Sequence, residues 1–150
     1  MIKKTVHYRK RLGGYMLQGI HHTGLAVRSA DTAAAFFKEV LGAELVEDYS
    51  METREFLSRM VKIGPNYFEL LEPRGKDGLI ERFLNTRGEG IHHVSIQVDD
   101  PEAVFNLCES KGIKLIGRRF IHPKSAHGVL IEVMSATDAE ELSPDMKALE

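Results

Sequence analysis

The sequence predicts an α+β fold built from two equivalent modules that share one core, and three observations point there. The tetrad Gly19-Ile20-His21-His22 recurs as Gly90-Ile91-His92-His93. Each copy opens a strand-like run, Thr23-Gly24-Leu25-Ala26-Val27 and Val94-Ser95-Ile96-Gln97-Val98, followed by a helix start and a further apolar strand. The copies stand 71 positions apart. That period is too long, and two copies too few, for an open solenoid, so the modules pair around a common interior. With 150 residues, 43% of them hydrophobic, and a formal charge of −2, the chain suits one globular domain with a sizeable core.

The elements follow in order. Residues 1–15 carry Lys3, Lys4, Arg9, Lys10 and Arg11 without an acid and read as a solvated basic arm, breaking at Gly13-Gly14. One such arm on a slightly acidic chain does not make a nucleic-acid protein. The domain proper spans 16–134, as modules at about 16–73 and 90–134 linked by a short helix. In the first, a strand over 18–28 leads to a helix over 30–41, capped by Ser29 or Asp31 and stopped by Gly42. A short strand at 43–47 precedes a polar, mobile loop at 48–55, and Gly64-Pro65-Asn66 turns a strand at 56–63 into one at 67–72. The linking helix covers 79–84 and stops near Gly88. The second module has a strand at 90–98, then a helix running from an Asp100 cap, with Pro101 in its first position, to Gly112. Strands at 113–116, 118–122 and 129–134 complete it, and 135–150 form an acidic tail with five carboxylates against Lys147.

No apolar run approaches the roughly 20 residues of a membrane span, and no secretory signal is visible at the N-terminus. The expectation is a cytoplasmic protein without a membrane partner. A single cysteine, Cys108, rules out an intramolecular disulfide, and its apolar neighbours predict a buried thiol.

Side chains alternate along a strand, so parity assigns the histidines of each doublet to opposite faces. His21 goes with Thr23, Leu25 and Val27, and His92 with Val94, Ile96 and Val98, on packing faces. His22 goes with Gly24 and Ala26, and His93 with Ser95 and Gln97, on faces that line a cavity. Each module also ends in a strand that holds an acid among apolar residues, Glu69 in the first and Glu132 in the second. A buried carboxylate costs several kcal/mol unless compensated. Any one of these residues alone is more simply a satisfied core group, but the duplication favours a divalent metal as the shared compensation. Two imidazoles and two carboxylates suit Zn, Ni, Co, Mn or Fe, with positions left for water or substrate.

On these residues the chain resembles a known family. The segments Ile20 to Val27, Phe68-Glu69-Leu70-Leu71-Glu72-Pro73, Arg87 to His93, and His122-Pro123-Lys124-Ser125 leading into Gly128 to Glu132 are similar to the vicinal oxygen chelate (glyoxalase/bleomycin resistance) superfamily. Within it they resemble the methylmalonyl-CoA epimerases. The resemblance implies paired βαβββ modules curled into an open, cup-shaped sheet around one divalent ion, Co, Ni, Zn or Mn. It places the metal ligands on His22, Glu69, His93 and Glu132. It also implies an acyl-CoA thioester substrate, whose α-proton is removed and returned on the other face, with Glu132 as a catalytic acid or base.

Two departures stand out. Some epimerases carry a second catalytic glutamate on the strand equivalent to 56–63, where this chain has Ser58 and no acid at all; Glu55 just precedes the strand. The loop at the mouth of the cup is shortened to Gly117-Arg118-Arg119. Lys124, Ser125, Arg118 and Arg119 are the candidates for binding the carboxylate or phosphates of the substrate, although Pro123 and Gly128 equally mark a plain polar turn. Two other functions use the same cup: a glyoxalase I type lactoylglutathione lyase, whose ligands have the same His, Glu, His, Glu identity, and a non-catalytic small-molecule-binding protein. Exposed sheet edges and outer-helix residues such as Phe36, Phe37 and Phe105 predict a homodimer.

Overall fold

A computed structural model describes residues 13–138. The element order is β1 (Leu17–Ala26), α1 (Ala30–Leu41), β2 (Glu44–Glu52), β3 (Phe56–Ile63), β4 (Asn66–Pro73), α2 (Leu79–Arg87), β5 (Gly90–Val98), α3 (Pro101–Ser110), β6 (Leu115–Ile116), β7 (Phe120–Ile121) and β8 (Ile131–Met134), with a 3-10 turn at Pro123–Ser125 before β8. The strands form one open eight-stranded sheet in the order β2-β3-β4-β1-β5-β8-β7-β6. Read outward from the central β1–β5 pair, each half repeats one pattern: the first strand of a module lies parallel to its last, β1 with β4 and β5 with β8, while β1 and β5 run antiparallel. The two modules are therefore related by an approximate two-fold axis between β1 and β5. The α+β, open-sheet expectation is met.

Local chemistry sets the element ends. Ser29 caps α1 by accepting the Thr32 amide, and Gly42, at φ 69°, ends it in the left-handed conformation. Asp100 caps α3 in the same way, through the Ala103 amide, ahead of Pro101. Both helices pack on the outer face of the sheet. α1 covers Leu25, Val27, Leu57, Val61 and Leu70, while α3 buries Val104, Phe105 and Cys108 against Ile96, Val98 and Val133. α2 sits on the opposite face, its Ile80 and Leu84 against Ala26 and Leu71. Of the three phenylalanines expected to need a partner, Phe105 is buried and Phe37 packs into the first core, whereas Phe36 is exposed.

Two expectations are corrected. The second strand is not a short 43–47 segment followed by a loop. β2 runs to Glu52, pairing Ser50, Met51 and Glu52 with Arg59, Ser58 and Leu57 after an irregularity between Leu45 and Ser50. The segment is polar because it is the sheet edge, and Met51 anchors it against the cluster of Val46, Met60 and Tyr67. The second module's last hairpin is shorter than expected: only Leu115–Ile116 and Phe120–Ile121 pair, with Gly117 at φ 58° in the turn. Most of the basic arm and acidic tail, residues 1–12 and 139–150, lies outside the described residues.

Candidate metal centre

Four strands deliver one polar side chain each to the middle of the sheet: His22 from β1, Glu69 from β4, His93 from β5 and Glu132 from β8. All four are buried among the apolar residues of the cup floor. The pairing explains their convergence, since Gly24 lies opposite both Glu69 and His93, and Ser95 opposite both His22 and Glu132. Small residues at these positions leave room for the larger ones. A methyl group at Gly24 would lie 2.2 Å from the His93 ring.

Their ligand atoms form a tight cluster. His22 Nε2 lies 3.2 Å from His93 Nε2, 3.4 Å from Glu69 Oε2 and 3.3 Å from Glu132 Oε2. His93 Nε2 lies 3.4 Å from Glu69 Oε2 and 3.8 Å from Glu132 Oε2. Ligands about 2.0–2.2 Å from a common ion, at tetrahedral or octahedral angles, stand about 3.0–3.5 Å apart. The donor atoms of His22, Glu69 and His93 therefore fit a divalent cation, with Glu132 Oε2 beside them at 3.3 Å from His22 and 3.8 Å from His93. A second sign is Glu132 Oε2 itself, a buried carboxylate oxygen that faces the His22 and His93 imidazole nitrogens.

Each of the four has one supporting contact. The Ser58 hydroxyl donates to Glu69 Oε1 at 2.7 Å, and Arg119 Nε donates to Glu132 Oε1 at 2.6 Å, so each carboxylate keeps Oε2 turned toward the cluster. His21 and His22 share a hydrogen bond between their Nδ1 atoms at 2.8 Å, and His92 and His93 share its counterpart at 3.0 Å. Such partners fix ring orientation and tautomer at metal sites.

That last arrangement corrects the parity assignment. His21 and His92 do not point to the packing face; both rings lie on the cup side, His21 stacked on Tyr67 and His92 against Phe83. Irregularities between Ile20 and His22, and between Gly24 and Leu25 opposite Ile91, make His21 and His92 the extra residue of a β-bulge in their respective strands. A bulge breaks the alternation on which parity rests.

The electrostatics follow from this crowding. Burial works against charge on His22, but hydrogen bonds to Glu132 and Glu69 outweigh it and raise its pKa to about 9. Burial likewise opposes ionisation of both glutamates. The neighbouring histidines overcome it, holding Glu69 well below the usual carboxylate range and, together with Arg119, bringing Glu132 to about 2. Burial first, then the neighbouring His22 or His93, lowers His21 and His92 to about 4. The doublet partners are thus neutral at ordinary pH, as hydrogen-bond acceptors from a metal-bound imidazole need to be.

The cluster opens into a cavity of about 610 Å³ whose walls include Met51, Phe56, Leu71, Ile80 and Phe120. Arg119, His92 and Asp138 also line it. Sequence reasoning missed His92, Met51 and Asp138: the first was hidden by the bulge, the second by the edge strand's polarity, and Asp138 lies in the tail. The other proposed binding residues are elsewhere. Arg118 turns to the outer face, where it pairs with Glu102 and Glu109 of α3 at 2.7 and 2.8 Å. Ser125 accepts the Lys114 amide, and Lys124 is exposed on the 3-10 turn; neither is among the described residues lining this cavity.

Duplicated modules, an open mixed sheet and a buried cluster of two histidines and two carboxylates at its centre define a cup-shaped α+β protein of internally repeated design, with side chains that could hold a metal ion. Residues 21–141 match the glyoxalase/bleomycin resistance protein/dioxygenase superfamily, and the chain belongs to that superfamily. Human mitochondrial methylmalonyl-CoA epimerase is 32% identical over 129 residues, which cover 78% of this chain and 73% of that protein. Among solved structures, the methylmalonyl-CoA epimerase of Mycobacterium tuberculosis superposes with a TM-score of 0.75 at 26% identity, covering 95% of this chain and 99% of the other. The Streptomyces coelicolor epimerase in complex with 2-nitronate-propionyl-CoA gives 0.72 at 28% identity, covering 79% and 94%. No helix among the described residues is long and apolar enough to cross a membrane.

Proposed function

We propose that this protein is a metal-dependent epimerase of a short-chain acyl-CoA such as methylmalonyl-CoA, with His22, Glu69, His93 and Glu132 as metal ligands. The observation that carries the reading is the convergence of these four side chains, each with its own supporting contact, in a chain whose relatives are methylmalonyl-CoA epimerases. When bound, a divalent ion supplies Lewis-acid charge beside the carbonyl whose α-hydrogen is to be removed.

The chain's own residues do the rest. Glu132 is the proton carrier: Arg119 holds Oε1, so Oε2 is the end that can exchange between ligand and base. Glu69 is held in place by Ser58, whose hydroxyl is committed to that carboxylate, so β3 contributes a positioning group where some relatives have an acid. The His21 and His92 rings lock the two imidazoles, and Phe56, Leu71, Ile80 and Phe120 keep the reacting carbon out of bulk water. Besides Arg119, which is held by Glu132, the other titratable groups among the described residues lining the cavity are His92 and Asp138, the candidates for the proton on the opposite face.

Conversion of a single methylmalonyl-CoA epimer into the mixture, followed by circular dichroism with metal-loaded protein, tests the reading. Full conversion that is lost in Glu132→Gln supports it. A protein that leaves the epimer unchanged yet isomerises the methylglyoxal–glutathione adduct would make the lactoylglutathione lyase the right member of the superfamily.

A further inference from the structure

A second cavity, of about 340 Å³, adjoins the metal cluster and shares His92, His93 and Leu79 with it. It runs between α2 and the chain from Pro123 to Leu130. Apolar side chains line much of it, and Leu79, Ile91 and Val129 are 50%, 63% and 41% exposed. Arg82, Thr86 and Arg87, from one face of α2, give it a cationic side, and no acid lines it among the described residues. Neither arginine has an ion-pair partner among the described residues; Arg82 donates to the Asp77 carbonyl and Arg87 lies over the Phe83 ring. The acids closest in sequence are engaged elsewhere, Glu81 with Asn85 and Glu89 with the Arg28 amide.

A largely apolar cavity that shares His92 and His93 with the metal cluster and has two guanidinium groups in its lining matches one kind of ligand, a thioester on a long, thin, mostly uncharged arm that terminates in phosphates. We propose that this cavity receives the pantetheine arm of the substrate and that Arg82 and Arg87, with the Thr86 hydroxyl, bind the phosphates of coenzyme A. The inference rests on the acyl-CoA reading above. It moves phosphate recognition away from Arg118, whose guanidinium is held by α3, and onto α2. Guanidinium groups are suited to the role because their fork of donors matches phosphate oxygens.

The test separates this inference from the function it rests on. Binding of free coenzyme A to the metal-loaded protein, measured by calorimetry, reads the subsite without any turnover. The Arg82→Ala/Arg87→Ala protein should bind it about tenfold or more weakly and with a shallower salt dependence, while Lys at both positions restores part of the affinity and the wild-type salt dependence. For turnover, the ratio of kcat/KM for methylmalonyl-CoA to that for the phosphate-free methylmalonyl-pantetheine thioester should fall by a similar factor, through KM. Unchanged coenzyme A affinity in the double alanine variant overturns the proposal. So does an equal loss on both thioesters, which would mean that the arginines support the fold rather than the phosphates. A wild-type protein that binds coenzyme A through these arginines but epimerises neither thioester would sustain the subsite and remove the epimerase.

Discussion

Gly24 offers a test of the metal centre that touches no ligand. Its backbone lies outside the left-handed region, so alanine is conformationally acceptable, and the whole effect of a Cβ is steric. Built on the present backbone, that carbon falls 2.2, 2.3 and 2.8 Å from Cε1, Nδ1 and Nε2 of His93. The ring must retreat by about 1.2 Å to reach the 3.4 Å at which ordinary contact begins, and it is pinned from behind by His92 at 3.0 Å. Forcing an extra carbon into a packed site costs about 1–3 kcal/mol, more than the roughly 0.4–1 kcal/mol that Gly→Ala gains by restricting the unfolded chain. Gly24→Ala is therefore modestly destabilised when metal-free. The larger effect is on the metal, because a displaced ligand ring lowers affinity by at least the roughly 10–100-fold typical of a lost supporting contact. Competition titration against a chromophoric chelator reads that loss directly. Gly90→Ala is the control: nothing lies within 4 Å of its built Cβ, and it should match the wild type. A Gly24→Ala protein with wild-type metal affinity would refute the placement of His93.

The remaining predictions concern pH, the doublets and assembly. For the metal-free protein, His22, raised from 6.5 to about 9, contributes stability that is complete below pH 6.5 and is lost as pH rises through about 9. His21 and His92, lowered to about 4, contribute stability that is complete above pH 6.5 and is lost as pH falls toward 4; the depressed Glu132 adds a further loss below about 4.5. Tm should therefore peak near pH 6.5 without metal, and the alkaline decline should vanish once metal replaces the His22 proton; a flat metal-free profile would contradict the cluster. His21→Phe should weaken metal binding by about 10–100-fold, with His21→Asn, which keeps an acceptor near Nδ1, intermediate. Equal affinities for the two variants would show that the ring merely fills space. Finally, Phe36, Val40 and Leu41 are all more than half exposed on α1, and we expect a homodimer to cover them. Light scattering should give twice the 16.9 kDa of one chain, whereas the single-chain mass at micromolar concentration would exclude it.

Much of this architecture can be read from residues. The duplicated His-His doublets announce the two modules, and the isolated acids Glu69 and Glu132 stand out because apolar neighbours on both sides leave them no solvent-facing explanation. Side-chain alternation then brings His22, Glu69, His93 and Glu132 to one surface. The same rule fails at His21 and His92, because a β-bulge is a property of the paired strands and leaves no mark on the alternation of either. Edge strands are similarly opaque: Ser50, Met51 and Glu52 look like loop because only one of their faces meets the protein. Arg118 and Arg119 are adjacent and chemically identical, yet one serves α3 and the other Glu132, a distinction made by the turn at Gly117 and the strand after it.

The central claim, proton transfer at carbon that depends on one metal ion held by these four residues, reduces to a single titration. Chelator-stripped protein is supplied with increasing Co(II) in deuterated water, and deuterium incorporation at the α-carbon of methylmalonyl-CoA is followed by mass spectrometry. Exchange should be negligible without metal, rise in proportion to metal added, and level off at one equivalent per chain. Full exchange in the metal-free protein, or none at saturation, would contradict the account.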